Sequence, residues 1–315
     1  MAAAAAAGAC SRLPDHARGF TRPSSSPVAL FAAADYSIDL AGLIVRGLGE
    51  IGASVRDKRV LLKPNMVEYE PGTAINTHPV FVAAAAEACR RAGAKEVVVA
   101  EGPGHRRDIE YLLSSTGLAN HLREDRIPFV DLNHDDVRVT RLGTNFTGLG
   151  ELALPAAILA ADVVISLPKL KTHHWAGMTC GMKNLFGVVP GAVYGWPKNV
   201  LHVRGIFESI VDLAATVKPQ LTIVDGITAM EGDGPIMGQP RTLGMVAMGT
   251  DVVAVDATCA RVIGLAPEKM GYLTNAGQFL GNIDERRIEH RGEALSRFAT
   301  QFVVLPDLAG LKAGG

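Results

Sequence analysis

The stretch RVLLKPN at residues 59–65, with PVFVAAAAEACRRAG at 79–93 and EVVVA at 96–100, decides the fold. Val60, Leu61 and Leu62 make an apolar run too short for a helix, and Pro64, which has no ladder donor, throws the chain into a loop. Pro79 suits the first turn of a helix, the Ala-rich body runs to Arg91, and Gly93 stands where a helix ends. A second short strand follows. Strand, loop, helix, strand is the order of a right-handed crossover unit on a parallel sheet.

The same reading extends outward. Leu40, Leu43, Ile44, Leu48 and Ile51 recur at helical spacing, which predicts a helix over 38–51. Further strands are expected at 128–132, 162–167, 220–224 and 243–248, with a last one on an edge at 302–305. Helices are expected at 109–117, 205–216 and 252–263. The predicted architecture is an α/β domain over 28–315, a mostly parallel sheet with helices on both faces. Two closely packed lobes joined near Gly148 are the alternative. Composition agrees: 48% of the 315 residues are hydrophobic but only 5% aromatic, so Ala, Val, Leu and Ile must fill the interior, as in helix-covered parallel sheets.

Lys plus Arg (31) nearly cancels Asp plus Glu (32), which gives no basis for nucleic acid as a partner and makes any anion site local. Cys10, Cys89, Cys180 and Cys259 stand far apart with no C-x-x-C pair, which disfavours a zinc ribbon or an iron–sulfur cluster and reads as scattered buried thiols. Residues 1–27 read either as a disordered tail or as a truncated export signal, an Ala run ending at Cys10 without a basic start. The location follows that choice: cytoplasmic in the first case, exported or periplasmic in the second. No apolar run elsewhere is long enough for a transmembrane segment.

Ligands of open α/β sheets bind beyond the carboxyl ends of the strands. Lys63, Asn65, Glu101, Lys169, Lys171, His173 and Asp225 all fall at such ends, so one cleft is expected to gather them. The segment from Lys169 to Pro190, rich in Lys, His and Gly, is expected to be a long functional loop presenting cations to one small anionic molecule. Lys171, His173 and Lys183 are the catalytic candidates; Lys63, Asn65, Glu101, Lys169 and Asn184 are substrate-binding candidates. Asp225, Glu231 and Asp256 read either as ligands of a divalent metal or as members of a buried ion-pair network, and Asp251 as a helix N-cap. Asp256, inside an apolar helical run, requires a Lys or backbone partner.

Lys63-Pro64-Asn65, Thr77-His78-Pro79, Glu101-Gly102, the run Pro168 to His173, Gly181-Met182-Lys183-Asn184, Asp225-Gly226, Glu231-Gly232 with Gly234-Pro235, and Asp251 with Asp256 occur in one order. Together they resemble the domain-of-unknown-function 362 family over residues 28–283. Members of that family often carry an iron–sulfur ferredoxin module or a twin-arginine export signal. The resemblance therefore implies, besides an enzyme, the alternative of a non-catalytic accessory protein for a metal cofactor or a redox partner, here without a cluster of its own. The stretch from His173 and His174 to Lys183 is also similar to the catalytic subunit of lactate racemase. That similarity implies isomerase or racemase-like acid–base chemistry and a nickel-pincer nucleotide bound to Lys183, with His173 or His174 and His105 as acid/base groups and His202 as metal ligand. Cys180-Gly181-Met182 departs from the paired glycines expected before that lysine.

Overall fold

Arg59–Pro64 is a strand at the centre of a ten-stranded sheet, as its apolar run requires. The computed structural model describes residues 19–104 and 108–314. Along the chain the strands are β1 (Ser26–Ala32), β2 (Arg59–Pro64), β3 (Glu96–Glu101), β4 (Phe129–Asp131), β5 (Val137–Arg141), β6 (Glu151–Pro155), β7 (Val163–Leu167), β8 (Lys169–His173), β9 (Gly177–Thr179), β10 (Leu221–Glu231), β11 (Gln239–Gly249) and β12 (Ile288–Gly292). The main sheet has the order β12-β1-β11-β10-β7-β2-β3-β4, with β8 paired to β10 and β9. Only β9 and β11 run against the others. Strands β5 and β6 form a separate hairpin.

Each sheet face has its own apolar core. Helices Leu40–Glu50, Pro79–Arg91, Ile109–Ser115 and Leu118–Glu124 cover one face, and Ile206–Val217, Val252–Val262 and Gly271–Ala276 the other. The helix Pro79–Arg91 starts where its sequence says: Pro79 occupies the first turn, His78 Nδ1 accepts from Val80 N, and Arg90 and Arg91 sit at the negative end of the helix dipole. Its Phe81, Val82, Ala85 and Cys89 are buried, and each large side chain contributes about 1.5–3 kcal/mol of apolar transfer.

Several expectations need correction. The main sheet takes strands from both sides of Gly148, which lies between β5 and β6, so it does not mark a division into lobes. Residues 302–305 form no strand; this segment spends its backbone donors on Ile263 O and the Glu231 carboxylate, and β12 holds the sheet edge instead. The packed region begins before residue 28: Phe20 meets Phe279 edge-on at 5.2 Å, Arg22 donates to Gly277 O at 2.7 Å, and β1 starts at Ser26. The Ala run and Cys10 lie outside the described residues. Among the described residues no helix is long and apolar enough to cross a membrane.

Candidate functional site

Pro168 separates β7 from β8, and the break redirects the chain. β7 pairs with β2, whereas β8 continues against the upper part of β10, Lys169 opposite Asp225 and Lys171 opposite Met230. The segment expected as a long loop is therefore a buried hairpin, β8 and β9, followed by the short helix Gly181–Asn184 and a tight turn at Leu185–Val188. Polar composition misleads here because Lys169 and Lys171 find oxygens inside the protein.

Above β2, β3 and β8 lies a cavity of about 240 Å³, lined among others by Lys63, Asn65, Glu101, Lys171, His173, Lys183 and Asn184. Lys63 Nζ donates to Glu101 Oε2 at 2.6 Å, to Pro64 O at 2.9 Å and to Asn184 Oδ1 at 3.2 Å. The Glu101 carboxylate also accepts from Met66 N and Gly102 N, so its charge is fully engaged. Asn184 returns its amide to Lys63 O and Ser166 Oγ, tying the short helix to β2 and β7. Lys63, Glu101 and Asn184 thus form the floor.

The remaining lysines have no carboxylate of their own. Lys171 Nζ donates to Ile75 O at 2.7 Å and Pro235 O at 3.3 Å; burial, reinforced by the charges of Lys183 and Lys169, holds its ammonium well below the usual lysine range. Lys183 Nζ lies 3.7 Å from the centre of the Phe186 ring and makes no hydrogen bond or ion pair among the described residues. Burial first, and then the charge on Lys63, bring it down to about 7. Asn65 Oδ1 and Thr179 Oγ1, also on the cavity wall, are buried without a hydrogen-bond partner among the described residues. The site is a cationic, partly unsatisfied pocket.

His173 is fixed by its turn. Its Nδ1 accepts from Trp175 N at 3.1 Å and Ala176 N at 3.2 Å, so the ring proton must reside on Nε2. Burial, with Lys183 nearby, keeps the imidazole well below its ordinary pKa and hence neutral at pH 7. His173 is therefore arranged as a hydrogen-bond donor rather than as a proton acceptor. His174 and His202 line the same cavity, and His174 faces Asp233 at 3.7 Å. His105 lies outside the described residues.

Lys198 is a site residue that the sequence reading missed. Its Nζ donates to Gly102 O at 2.7 Å, Gly187 O at 3.1 Å and Phe186 O at 3.3 Å, and burial brings it down to about 7 despite the opposing pull of Glu101. It sits at a left-handed backbone position (φ 67°) after Trp196-Pro197, and only the Gly, Pro and aromatic clustering at 191–197 hinted at a built turn.

Two expected members stand elsewhere. Lys169 turns away from the cavity to Asp225, 2.5 Å between Nζ and Oδ2, with Tyr36 Oη bridging both at 2.9 Å. His78 N also donates to Asp225, so this buried cluster is complete in itself. Asp225, Glu231 and Asp256 do not converge on one ion. Glu231 pairs with Arg241 and accepts from Val303 N, while Asp256 accepts from Gly181 N at 2.7 Å and Met182 N at 3.1 Å. Among the described residues no three His, Cys, Asp or Glu side chains are grouped to hold a metal. Asp256 instead caps the helix carrying Lys183, and Asp251 caps its own helix through Val253 N and Ala254 N. Cys89, Cys180 and Cys259 are free and buried. The cavity brings together Lys183, His173, His174 and His202, the residues that the resemblance assigns to a nickel-pincer nucleotide.

Among solved structures, lactate racemase apoprotein from Thermoanaerobacterium thermosaccharolyticum is similar at 14% identity and a TM-score of 0.46, over 80% of this chain and 59% of that one. A Thermotoga maritima protein is similar at 13% identity and a TM-score of 0.35, over 70% of this chain and 57% of that one. A thylakoid-associated protein of Synechocystis sp. is 36% identical over 230 residues, 71% of this chain and 69% of its own length. Residues 60–261, which include the cavity's Lys63, Glu101, Lys171, Lys183 and Lys198, match the model described as domain of unknown function (DUF362), and the chain belongs to that family.

Proposed function

We propose that the chain is an enzyme acting on a small anionic substrate, a short carboxylate, by lysine and histidine acid–base chemistry. One observation carries the reading: Lys171, Lys183 and Lys198 converge on a single cavity whose sole acidic lining residue among those described, Glu101, is already paired with Lys63. Cations crowded together without counterions depress one another's protonation, and a bound anion relieves that cost. The carboxylate would take the positive end of the cavity, while Met66, Phe186 and Ile236 would cover its apolar part.

The acid–base roles follow from the surroundings. At about 7, Lys183 exchanges between ammonium and free amine at neutral pH, which suits a group that removes and returns a proton. His173, neutral and with Nε2–H free of its turn, would donate a hydrogen bond to an oxygen of the substrate. An isomerase or racemase-like outcome requires a second acid/base, for which His202, lining the same cavity from another helix, is the candidate.

Calorimetric titration with acetate, lactate and pyruvate in two buffers of different ionisation enthalpy tests the reading. Binding accompanied by proton uptake near pH 7 is expected. Absence of binding, or binding without proton uptake, would remove the basis for an anion site built on depressed lysines.

A further inference from the structure

We infer that Lys183 is an amine nucleophile that condenses with the carbonyl carbon of a small 2-oxo acid, forming an imine within the cavity. The inference rests on the anion site proposed above and deepens it by naming the substrate class; with Lys183 in the imine, the proton transfer falls to His202.

The lysines of the cavity differ in what holds their nitrogen. Lys63 is bound by Glu101, Pro64 and Asn184, Lys171 by two carbonyls and Lys198 by three. Lys63 and Lys198 spend all three ammonium N–H donors on protein oxygens and Lys171 spends two, which ties these nitrogens to the scaffold. Lys183 alone of the four makes no hydrogen bond or ion pair among the described residues, and it lies over the Phe186 ring at the cavity wall. Its helix is locked at one end by Asp256 and at the other by Asn184, so the amine is held on a rigid element. An amine in an apolar pocket beside other cations is the environment that makes a lysine a nucleophile near neutral pH, and the value of about 7 agrees with it.

The partner must carry an electrophilic carbon next to an anionic group. Lys171 and Lys198 supply positive charge for a carboxylate, His173 Nε2–H supplies a donor for a carbonyl oxygen, and the small volume limits the rest to a short chain. A 2-oxo acid has this arrangement. The neutral amine adds to the carbonyl carbon, the N–C bond forms, and the oxygen becomes a hydroxyl by taking a proton lost from nitrogen. The C–O bond then breaks and one water leaves, so that amine plus oxo acid gives imine plus water without any oxidant.

The test treats the full-length protein with pyruvate and sodium borohydride, followed by intact-mass measurement and peptide mapping, alongside an acetate titration. Expected is an increase equal to the mass of the oxo acid less one oxygen, on the peptide containing Lys183, and its loss in a folded Lys183→Arg variant. Acetate binding without an adduct, or an adduct on another lysine, overturns the imine while the anion site stands. If neither acetate nor pyruvate binds, both proposals fall together.

Discussion

Lys63 Nζ and Glu101 Oε2 lie 2.6 Å apart at the ends of the neighbouring parallel strands β2 and β3, and both side chains are buried. The pair is the hinge on which the cavity floor is built. Gly187 packs so closely over it that an added Cβ would collide with Glu101 Oε1 and Lys63.

Removing one member strands the other charge. Glu101→Gln or Lys63→Met is expected to lower stability by about 3–5 kcal/mol, whereas the double replacement by apolar residues recovers a large part of it. Urea denaturation midpoints of the three variants check this. A double variant whose loss equals the sum of the two single losses would show that the pair is not coupled.

Lys183 and Lys198 give anion binding a pH dependence. Both titrate near 7 in the folded protein, against 10.5 for an ordinary lysine, chiefly because of burial. Between those values the unfolded chain holds more protons than the folded one, so these lysines make stability rise with pH across that window. Below about 7 both states are protonated, and the folded state carries the buried charges. A carboxylate that favours the charged lysines binds best below 7 and loses affinity above it, up to about tenfold per pH unit for each proton required. Acetate titrations from about pH 6 to about pH 9 measure it, and an affinity flat over that range contradicts the assignment.

Asp256 is a carboxyl raised by burial to about 7 even though Met182 N and Gly181 N donate to it. Since its folded value lies above the unfolded one, the stability it contributes is full below the ordinary carboxyl pKa and is lost as pH rises through about 7. Asp256→Ala leaves two buried N–H groups without acceptors, a loss of about 1–3 kcal/mol for each. The variant should also lose acetate affinity, because the uncapped helix carries Lys183 and Asn184. Thermal melts across pH, paired with titrations, check both parts; unchanged affinity would mean that the cap does not position the site.

What could be read from residue order and what could not divides along local and non-local physics. The β2, Pro79–Arg91 and β3 unit was legible because its period, its Pro and its Gly all act within the segment. Lys63, Glu101, Lys171 and His173 fall in one cavity because strand ends share an edge of the sheet. Asp225 shares that edge yet faces Lys169 and Tyr36, a choice made by the bend at Pro168 and the irregular pairing of β8 with β10, which no periodicity encodes. Lys198 was hidden for the same reason: its three carbonyl partners come from residues 102, 186 and 187.

Lys183 and Lys198 share a cavity and a pKa near 7, but their loss should have opposite consequences. Lys183 Nζ satisfies no acceptor among the described residues, so Lys183→Met exchanges a desolvated amine for an apolar side chain of similar length beside Phe186. Stability should change little, within about 0.5 kcal/mol, or rise, while acetate-linked proton uptake falls. Lys198→Met removes the donor to three buried carbonyls and also the side chain that holds the Gly102 and Gly187 turns together. Unsatisfied acceptors cost about 1–3 kcal/mol, so this variant should denature at a clearly lower midpoint. Measuring midpoint and proton uptake on both separates a ligand lysine from a scaffold lysine. A collapsed midpoint for Lys183→Met would make it a second scaffold residue and remove it from the chemistry.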